Sequence, residues 1–465
     1  MNSAHTDFPD RLSPMVVKEL RQGLRMRLFG GVFLTLHILL ILITLMGGAS
    51  SNDRSISGLF DGLITVILCV VFPLRGFAAL AQEMKAGTLD MLVLTRLSAW
   101  RIVLGKWSST ALLSLLVALS VLPYVVSRYV FGGIDLMDEV GTLFLKWLGG
   151  LVIAAAIVCV STIRQQWLRG LIVGLPLLGL GFFGFIFAIF SSFGPGGSTT
   201  TFGGVSVSTF MTSSLWFITP LAAWAVFGLL GVATTRIAPP SSLFPVFKRL
   251  VHFIVVAVVA VFSWQMAVPL LYLVMADVML EQNSDVPSVH AAFYRRGWPG
   301  RLAGWFFAPG WASGFFFALL LTSIAGVAAW QAGGLDSVAQ VWLTACSMWL
   351  VACLMQLVAG RGTGDRLALF VITLLCVQVL TALVSSMMIA ASVSGRAPWA
   401  GTLLPTLVIS ASSISSGGKT DILTTGLAIS SLWPLLHFLQ ALLARRRLRA
   451  VFQEASEIQH QKSKT

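Results

Sequence analysis

A chain of 465 residues that is 57% hydrophobic and only 11% charged, with a mean hydropathy of +0.88, falls outside the ordinary soluble class, where about 25% of residues are charged. The net charge of +13 does not point to nucleic acid, because the basic residues sit at the ends of apolar runs, where they set membrane orientation. Counting spans of ~20 apolar residues therefore replaces counting domains at roughly one per 150 residues.

The first predicted element lies in "SPMVVKELRQGLRMRLF". Val16, Leu20 and Leu24 recur at i, i+4 and i+8, while Lys18, Arg21 and Arg25 line another side. This pattern predicts an interfacial helix over 14–27, apolar face toward lipid and basic face toward anionic headgroups. Ser13 suits its cap and Pro14 its first position. The alternative is a plain positive topology signal. The apolar run that follows is too long for a signal peptide and is expected to stay as an anchor.

Membrane spans are expected at 28–48, 58–81, 103–131, 142–163, 170–190, 214–235, 250–278, 305–328, 338–358, 367–391, 401–414 and 422–443. The fold class is thus an all-α, polytopic transmembrane helix bundle of about 12 spans (10–12). The short run 401–414 contains Pro405 and also reads as a half-span or re-entrant piece. With the N-terminus inside, segments 1–27, 82–106, 164–169 and 236–249 hold 5, 4, 2 and 3 Lys and Arg, against 1, 0 and 0 in the intervening outer loops. That bias orients the first half. In the second half the inner segments hold 0, 1 and 6 against 3, 2 and 1 outside, so only "RRRLR" (445–449) argues for a cytoplasmic C-terminus. Segments 191–213 and 279–304 are expected outside. The echo of "AGTLD" (86–90) in "AGGLD" (332–336) keeps no register with the spans and is taken as chance.

One polar stretch interrupts the apolar chain: "QEMKAGTLDMLVLTRLSAWRIVLGK", residues 82–106. Its first part reads as a helix carrying Glu83, Lys85 and Asp90, with Leu89 and Leu92 on one face and Gly87 weakening it. A loop that only joined two spans could be far shorter. Leucines to bury and acids to pair, without a soluble domain, imply a docking surface for a cytoplasmic partner.

These residues resemble the short coupling helix after the second span in ATP-binding-cassette (ABC) permeases of the type-2 exporter family. The matching positions are Glu83, Gly87, Thr88, Leu89, Leu92, Leu94, Leu97, Ser98, Gly105 and Lys106, and "VVKELRQGLRMR" is similar to the family's N-terminal interfacial helix. The likeness covers residues 14–130 and, by span count, reaches about 235. It implies a permease-like domain over 1–235, a coupling helix at 82–97 that docks a separate ABC ATPase subunit (two copies), and a second permease subunit. ATP and Mg would sit on that partner, with no cofactor bound by this chain. Residues 236–465 depart from the pattern as an additional transmembrane region with a basic tail and no second docking motif.

Catalytic chemistry is not expected. "SSGGKT" (415–420) ends like a phosphate-binding loop, but Ser413 stands where the first glycine is required. The six histidines show no paired-ligand spacing, and no Gly-x-Ser-x-Gly elbow occurs. The five cysteines lie in apolar runs without CxxC spacing, which suits packing. Asp277 is the one acid read inside a span, and Arg75 is expected to snorkel to the interface. This scarcity argues against an ion-coupled carrier, which buries ionisable groups at mid-membrane. A membrane-embedded enzyme or assembly factor with a docking helix remains an alternative. The composition suits lipids, hydrophobic drugs, peptides or surface polymers as cargo.

Overall fold

The computed structural model describes residues 14–49, 54–86, 98–131, 135–163, 165–174, 201–202, 205–206, 215–284, 286–294, 297–359, 365–393, 399–414 and 419–464. The described chain is almost wholly helical, with one two-residue antiparallel pairing of Thr201–Phe202 with Val205–Ser206. Among the described residues, nine helices are long and apolar enough to cross a membrane. Contacts divide the chain into two units, Met1–Ile237 and Ala238–Thr465.

In the first unit an amphipathic helix, Pro14–Arg25, leads at Met26 into the apolar helix Arg27–Ala49. Residues 54–86 are helical throughout but irregular, passing through a π turn at Ile67–Val71 and a 3-10 turn at Arg75–Ala78. Pro73 lies between them and explains the irregularity, since its ring removes a donor and crowds the carbonyl one turn back. This opened backbone packs against helix Leu136–Val160. A Cβ on Gly150 would stand 2.4 Å from the Leu68 carbonyl oxygen, so only glycine permits the approach. Asp135 caps the Leu136–Val160 helix, accepting from the Met137 and Asp138 amides. Helices Ala99–Phe131 and Leu215–Ile237 complete the packing. Leu36, Leu40, Phe60, Leu68, Leu113 and Val117 form its apolar centre.

The second unit corrects the sequence reading. The expected single span 250–278 is two helices, Phe244–Phe262 and Trp264–Leu280, packed on each other. Ser263 breaks the run in an extended conformation (φ −158°, ψ 105°), and its hydroxyl caps the second arm through the Met266 amide. The chain therefore reverses at Ser263, and Lys248 meets Asp277 at 2.7 Å.

The assigned helix Trp311–Ala359 is likewise two, broken at Gly334 (φ +66°, ψ −153°). The Phe315 and Trp349 rings lie 5.8 Å apart, whereas a straight helix would hold them about 50 Å apart at ~1.5 Å per residue. Gly334 adopts a conformation that other residues pay strain to reach.

Two further contacts fix which ends meet. Arg366 donates to the Glu281 carbonyl at 2.9 Å, and helix Pro287–Tyr294 packs on the C-terminal helix Arg449–Lys464. The described residues of 238–249 and 279–304, the start of helix Arg366–Val393 and the tail helix thus gather at one end of the unit. The sequence reading placed 279–304 and 359–366 opposite the tail. It failed because 250–278 was counted as one crossing, which inverted the connections from 279 up to the run 401–414. The run 401–414 does not form one long helix. A 3-10 turn at Trp399–Leu403 and the seven-residue helix Val408–Ile414 pack on helix Lys419–Ser430, with which helix Leu432–Arg447 is nearly continuous.

Candidate functional site

The first unit gathers its site around helix Ala99–Phe131. Ser98 starts that helix as its cap, its hydroxyl accepting from the Arg101 amide at 3.4 Å. About two turns later Gly105 and Lys106 face the amphipathic helix. A Cβ on Gly105 would stand 2.8 Å from Met15 Cγ, so glycine lets the two helices close. Lys106, only 7% exposed, then reaches both neighbours: Nζ lies 2.8 Å from Glu83 Oε1 and 3.1 Å from Glu19 Oε1. One ammonium thereby joins the amphipathic helix, the end of the second membrane helix and the base of the third.

Glu83 was expected at the rim of a partner-docking surface. Its carboxylate contacts Lys106 within the chain and is 17% exposed. Gly87, Thr88, Leu89, Leu92, Leu94 and Leu97 lie outside the described residues, so the expected coupling helix is represented only by its first turn, within Ala79–Ala86.

The amphipathic helix keeps Lys18, Arg21 and Arg25 exposed, as the interfacial pattern expects. The side that packs on the rest of the unit is distinct from the apolar face expected toward lipid. Met15 and Gly23 are buried with Glu19 half-buried between them, while Leu24 is 42% exposed. Gly23 accommodates Arg75, whose guanidinium tucks beneath the helix rather than reaching outward, with Nη2 3.9 Å from Met26 Sδ. Toward the other end of the unit, Lys146 Nζ lies 2.7 Å from Asp61 Oδ1. Arg128 pairs with Glu139, binds the Ser57 hydroxyl at 2.9 Å and covers the Phe60 ring.

The second unit holds a denser ionic group where the arms of its first hairpin meet. Lys248 and Arg249 are fully buried. Lys248 Nζ lies 2.7 Å from Asp277 Oδ1 and 3.2 Å from Glu281 Oε1, and His252 Nε2 lies 3.2 Å from Asp277 Oδ2. Arg249 binds Glu281 Oε2 at 2.6 Å, the Ser313 hydroxyl at 3.1 Å, and the carbonyls of Phe306, Ala308 and Gly310 at 2.9, 2.5 and 2.7 Å. The Gly310 amide in turn donates to Glu281 Oε2 at 3.2 Å, in a left-handed conformation (φ +122°). A Cβ on Gly314 would fall 2.0 Å from Val278 Cγ1, so a second glycine seals the cluster.

Two cations and two carboxylates balance here, and each of the four charged side chains meets an opposite charge within the cluster. This is the geometry of a fixed internal tie. Sequence reading singled out Asp277 alone. The signal that could have completed the group is the spacing about Ser263: Asp277 and Glu281 one turn apart, matched by Lys248, Arg249 and His252 at mirrored positions. Asp61 was missed because the apolar residues around it masked one acid in a long run.

Among the described residues no three His, Cys, Asp or Glu side chains converge as a metal site. Of "SSGGKT", residues 415–418 lie outside the described residues and Lys419 opens a helix. No family model matches the chain, and a search of curated proteins finds no match.

Proposed function

We propose that the chain is the membrane-spanning permease subunit of an ATP-driven exporter of the ABC type-2 kind. It would couple hydrolysis by a separate ATPase subunit, two copies per complex, to substrate export alongside a second permease subunit. The observation that carries this reading is the Glu19–Lys106–Glu83 junction. A helical segment that emerges between two spans is tied at its root to an amphipathic helix and to the third membrane helix. A push on residues 82–97 would thereby move helix Ala79–Ala86, and Lys106 would pass that displacement to helices Pro14–Arg25 and Ala99–Phe131. The resemblance of Glu83, Gly87, Thr88, Leu89, Leu92, Leu94, Leu97, Gly105 and Lys106 to the exporter pattern supports it.

On this reading both termini lie in the cytoplasm. In the second unit, the segments whose described residues gather at one end (238–249, 279–310, 359–366 and 444–465) hold 2, 3, 2 and 6 Lys and Arg in the sequence, thirteen in all. Only Arg396 and Lys419 lie in connections at the other end. This grouping supports a cytoplasmic location for that end. Splitting the run at Gly334 and adding the arm Trp264–Leu280 turns nine described crossings into eleven. With the expected span 170–190, mostly outside the described residues, the total is twelve. Run 401–414 would fold back without crossing.

The test is affinity purification from native membranes, with Leu92→Asp beside the native chain. Co-purification of a P-loop ATPase that Leu92→Asp releases, with the mutant still inserted, is the expected result. Retention of full transport and of the ATPase by Leu92→Asp ends the docking reading. An ion-coupled carrier gains one observation, the Asp61–Lys146 pair within two membrane helices. Transport that survives loss of the ATPase but stops when the proton gradient is collapsed would favour it.

A further inference from the structure

A cavity of about 430 Å³ opens between helices Pro287–Tyr294, Gly297–Phe307, Leu432–Arg447 and Arg449–Lys464. Arg301, Arg445 and Arg446 line it beside Tyr294, Trp305 and Phe452, and among the described residues no carboxylate does. None of these arginines forms an ion pair among the described residues. Arg445 is held by rings instead: its guanidinium carbon stands 3.7 Å from the Trp305 centroid and 5.8 Å from that of Phe452. Its Nη1 is shielded from solvent and has no hydrogen-bond partner. Arg301 likewise faces the Tyr294 ring at 5.6 Å.

A partly enclosed donor without an acceptor is costly unless a ligand supplies one. Three uncompensated guanidinium groups call for an anion with several acceptor oxygens, and phosphate matches their forked donors. The cavity's surroundings specify the rest of the ligand. Leu435, Leu436, Leu439 and Leu443 are each about half exposed along helix Leu432–Arg447, and Leu302 is 51% exposed on helix Gly297–Phe307. An apolar outer surface thus runs along the helix that carries Arg445 and Arg446 at its end.

We propose that this cavity binds the phosphate headgroup of an acidic phospholipid, with its acyl chains lying along the exposed leucines of helix Leu432–Arg447. Basic pockets between membrane helices at the cytoplasmic side are suited to such headgroups. Trp305 and Phe452 form walls of the cavity, and Trp is a residue enriched where bilayer meets water. The lipid would join the C-terminal helix to the rest of the unit by bridging residues from four helices.

The experiment uses the full chain in mild detergent, with phosphatidylglycerol, phosphatidylcholine and inorganic phosphate as probes. Native mass spectrometry counts bound lipid, and melting temperature is followed in parallel. Phosphatidylglycerol should bind at least about tenfold more tightly than phosphatidylcholine, and the double variant Arg301→Gln/Arg446→Gln should lose about that factor, two surface cations being removed. The variant's melting temperature without lipid should stay unchanged, because neither residue is ion-paired. Arg21→Gln/Arg25→Gln, on the amphipathic helix, should retain the site. A photoactivatable phosphatidylglycerol should mark peptides from helices Gly297–Phe307 and Leu432–Arg447. Equal binding of both lipids, undiminished affinity in the Arg301/Arg446 double variant, or equal stabilisation by inorganic phosphate would each overturn the proposal.

Discussion

The two units solve the same electrostatic problem in opposite ways. In the second, Lys248, Arg249, His252, Asp277 and Glu281 are sealed in, with charges balanced and the Ala308–Gly310 backbone folded around the guanidinium. In the first, Lys106 alone faces two carboxylates, each with some exposure. A balanced, sealed cluster has little freedom to rearrange, because any broken contact leaves a buried charge. An unbalanced pair of carboxylates at a surface junction can exchange one contact for water at small cost. The first arrangement suits a fixed anchor and the second a moving joint.

The largest effect should come from breaking the sealed cluster. Glu281→Ala leaves Arg249 and Lys248 without a carboxylate they share, and removing one member of a buried ionic group costs about 3–5 kcal/mol. The expected outcome is a marked fall in the melting temperature of the detergent-solubilised chain, or loss of folded protein altogether. Glu281→Gln keeps the shape and some hydrogen bonds and should fall between. If Glu281→Ala melts like the native chain, the cluster is no anchor.

The glycines beside the two clusters sharpen the contrast. At Gly314 an added methyl meets Val278 Cγ1 at 2.0 Å, and a β-branched side chain packed in a helix pair has little room to yield. Gly314→Ala should cost about 1–3 kcal/mol by overpacking. At Gly105 the methyl meets the Met15 side chain, whose rotatable bonds let it move. Gly105→Ala should cost less stability, yet push the amphipathic helix outward and raise the accessibility of a cysteine placed at Met15 to a membrane-impermeant thiol reagent. Equal destabilisation by both variants would remove the distinction between anchor and joint.

Much of the first unit was legible from its residues. The helix at Pro14–Arg25, the membrane helices near 28–48, 58–81 and 103–131, and the exposure of Lys18, Arg21 and Arg25 follow from periodicity and hydropathy alone. Gly105 and Lys106 were noticed as a pattern, but their physical role needs Met15 and Glu19, which are close in space and far in sequence. The second unit was less legible for one reason. Ser263 is a single polar residue in an apolar run, and hydropathy windows average over it. Missing the reversal hid the mirrored spacing of Lys248 and Asp277 and inverted the sides assigned to 279–304 and 359–366. Gly334, in a run already divided by its polar residues, caused no such error.

The smallest effect on stability, and the most informative for function, should come from the junction itself. Lys106→Met removes the shared cation and leaves Glu19 and Glu83 facing one another. Both carboxylates keep some contact with solvent, so the loss should be about 1 kcal/mol or less, in the range of partly exposed ion pairs. Insertion and melting should stay close to native. The joint should nevertheless loosen: helix Pro14–Arg25 loses its tie at Glu19 and helix Ala79–Ala86 loses its tie at Glu83. If movement of the docking segment reaches the membrane helices through Lys106, the variant should still co-purify with its ATPase, hydrolyse ATP, and fail to move cargo. Lys106→Arg, which can still bridge both carboxylates, should recover part of the transport. A fixed structural role predicts the reverse, with transport falling only in proportion to lost stability and no rescue beyond the recovery of folded protein. Transport per inserted molecule, set against ATP hydrolysis, separates the two. Native coupling in Lys106→Met would show that force travels by another route.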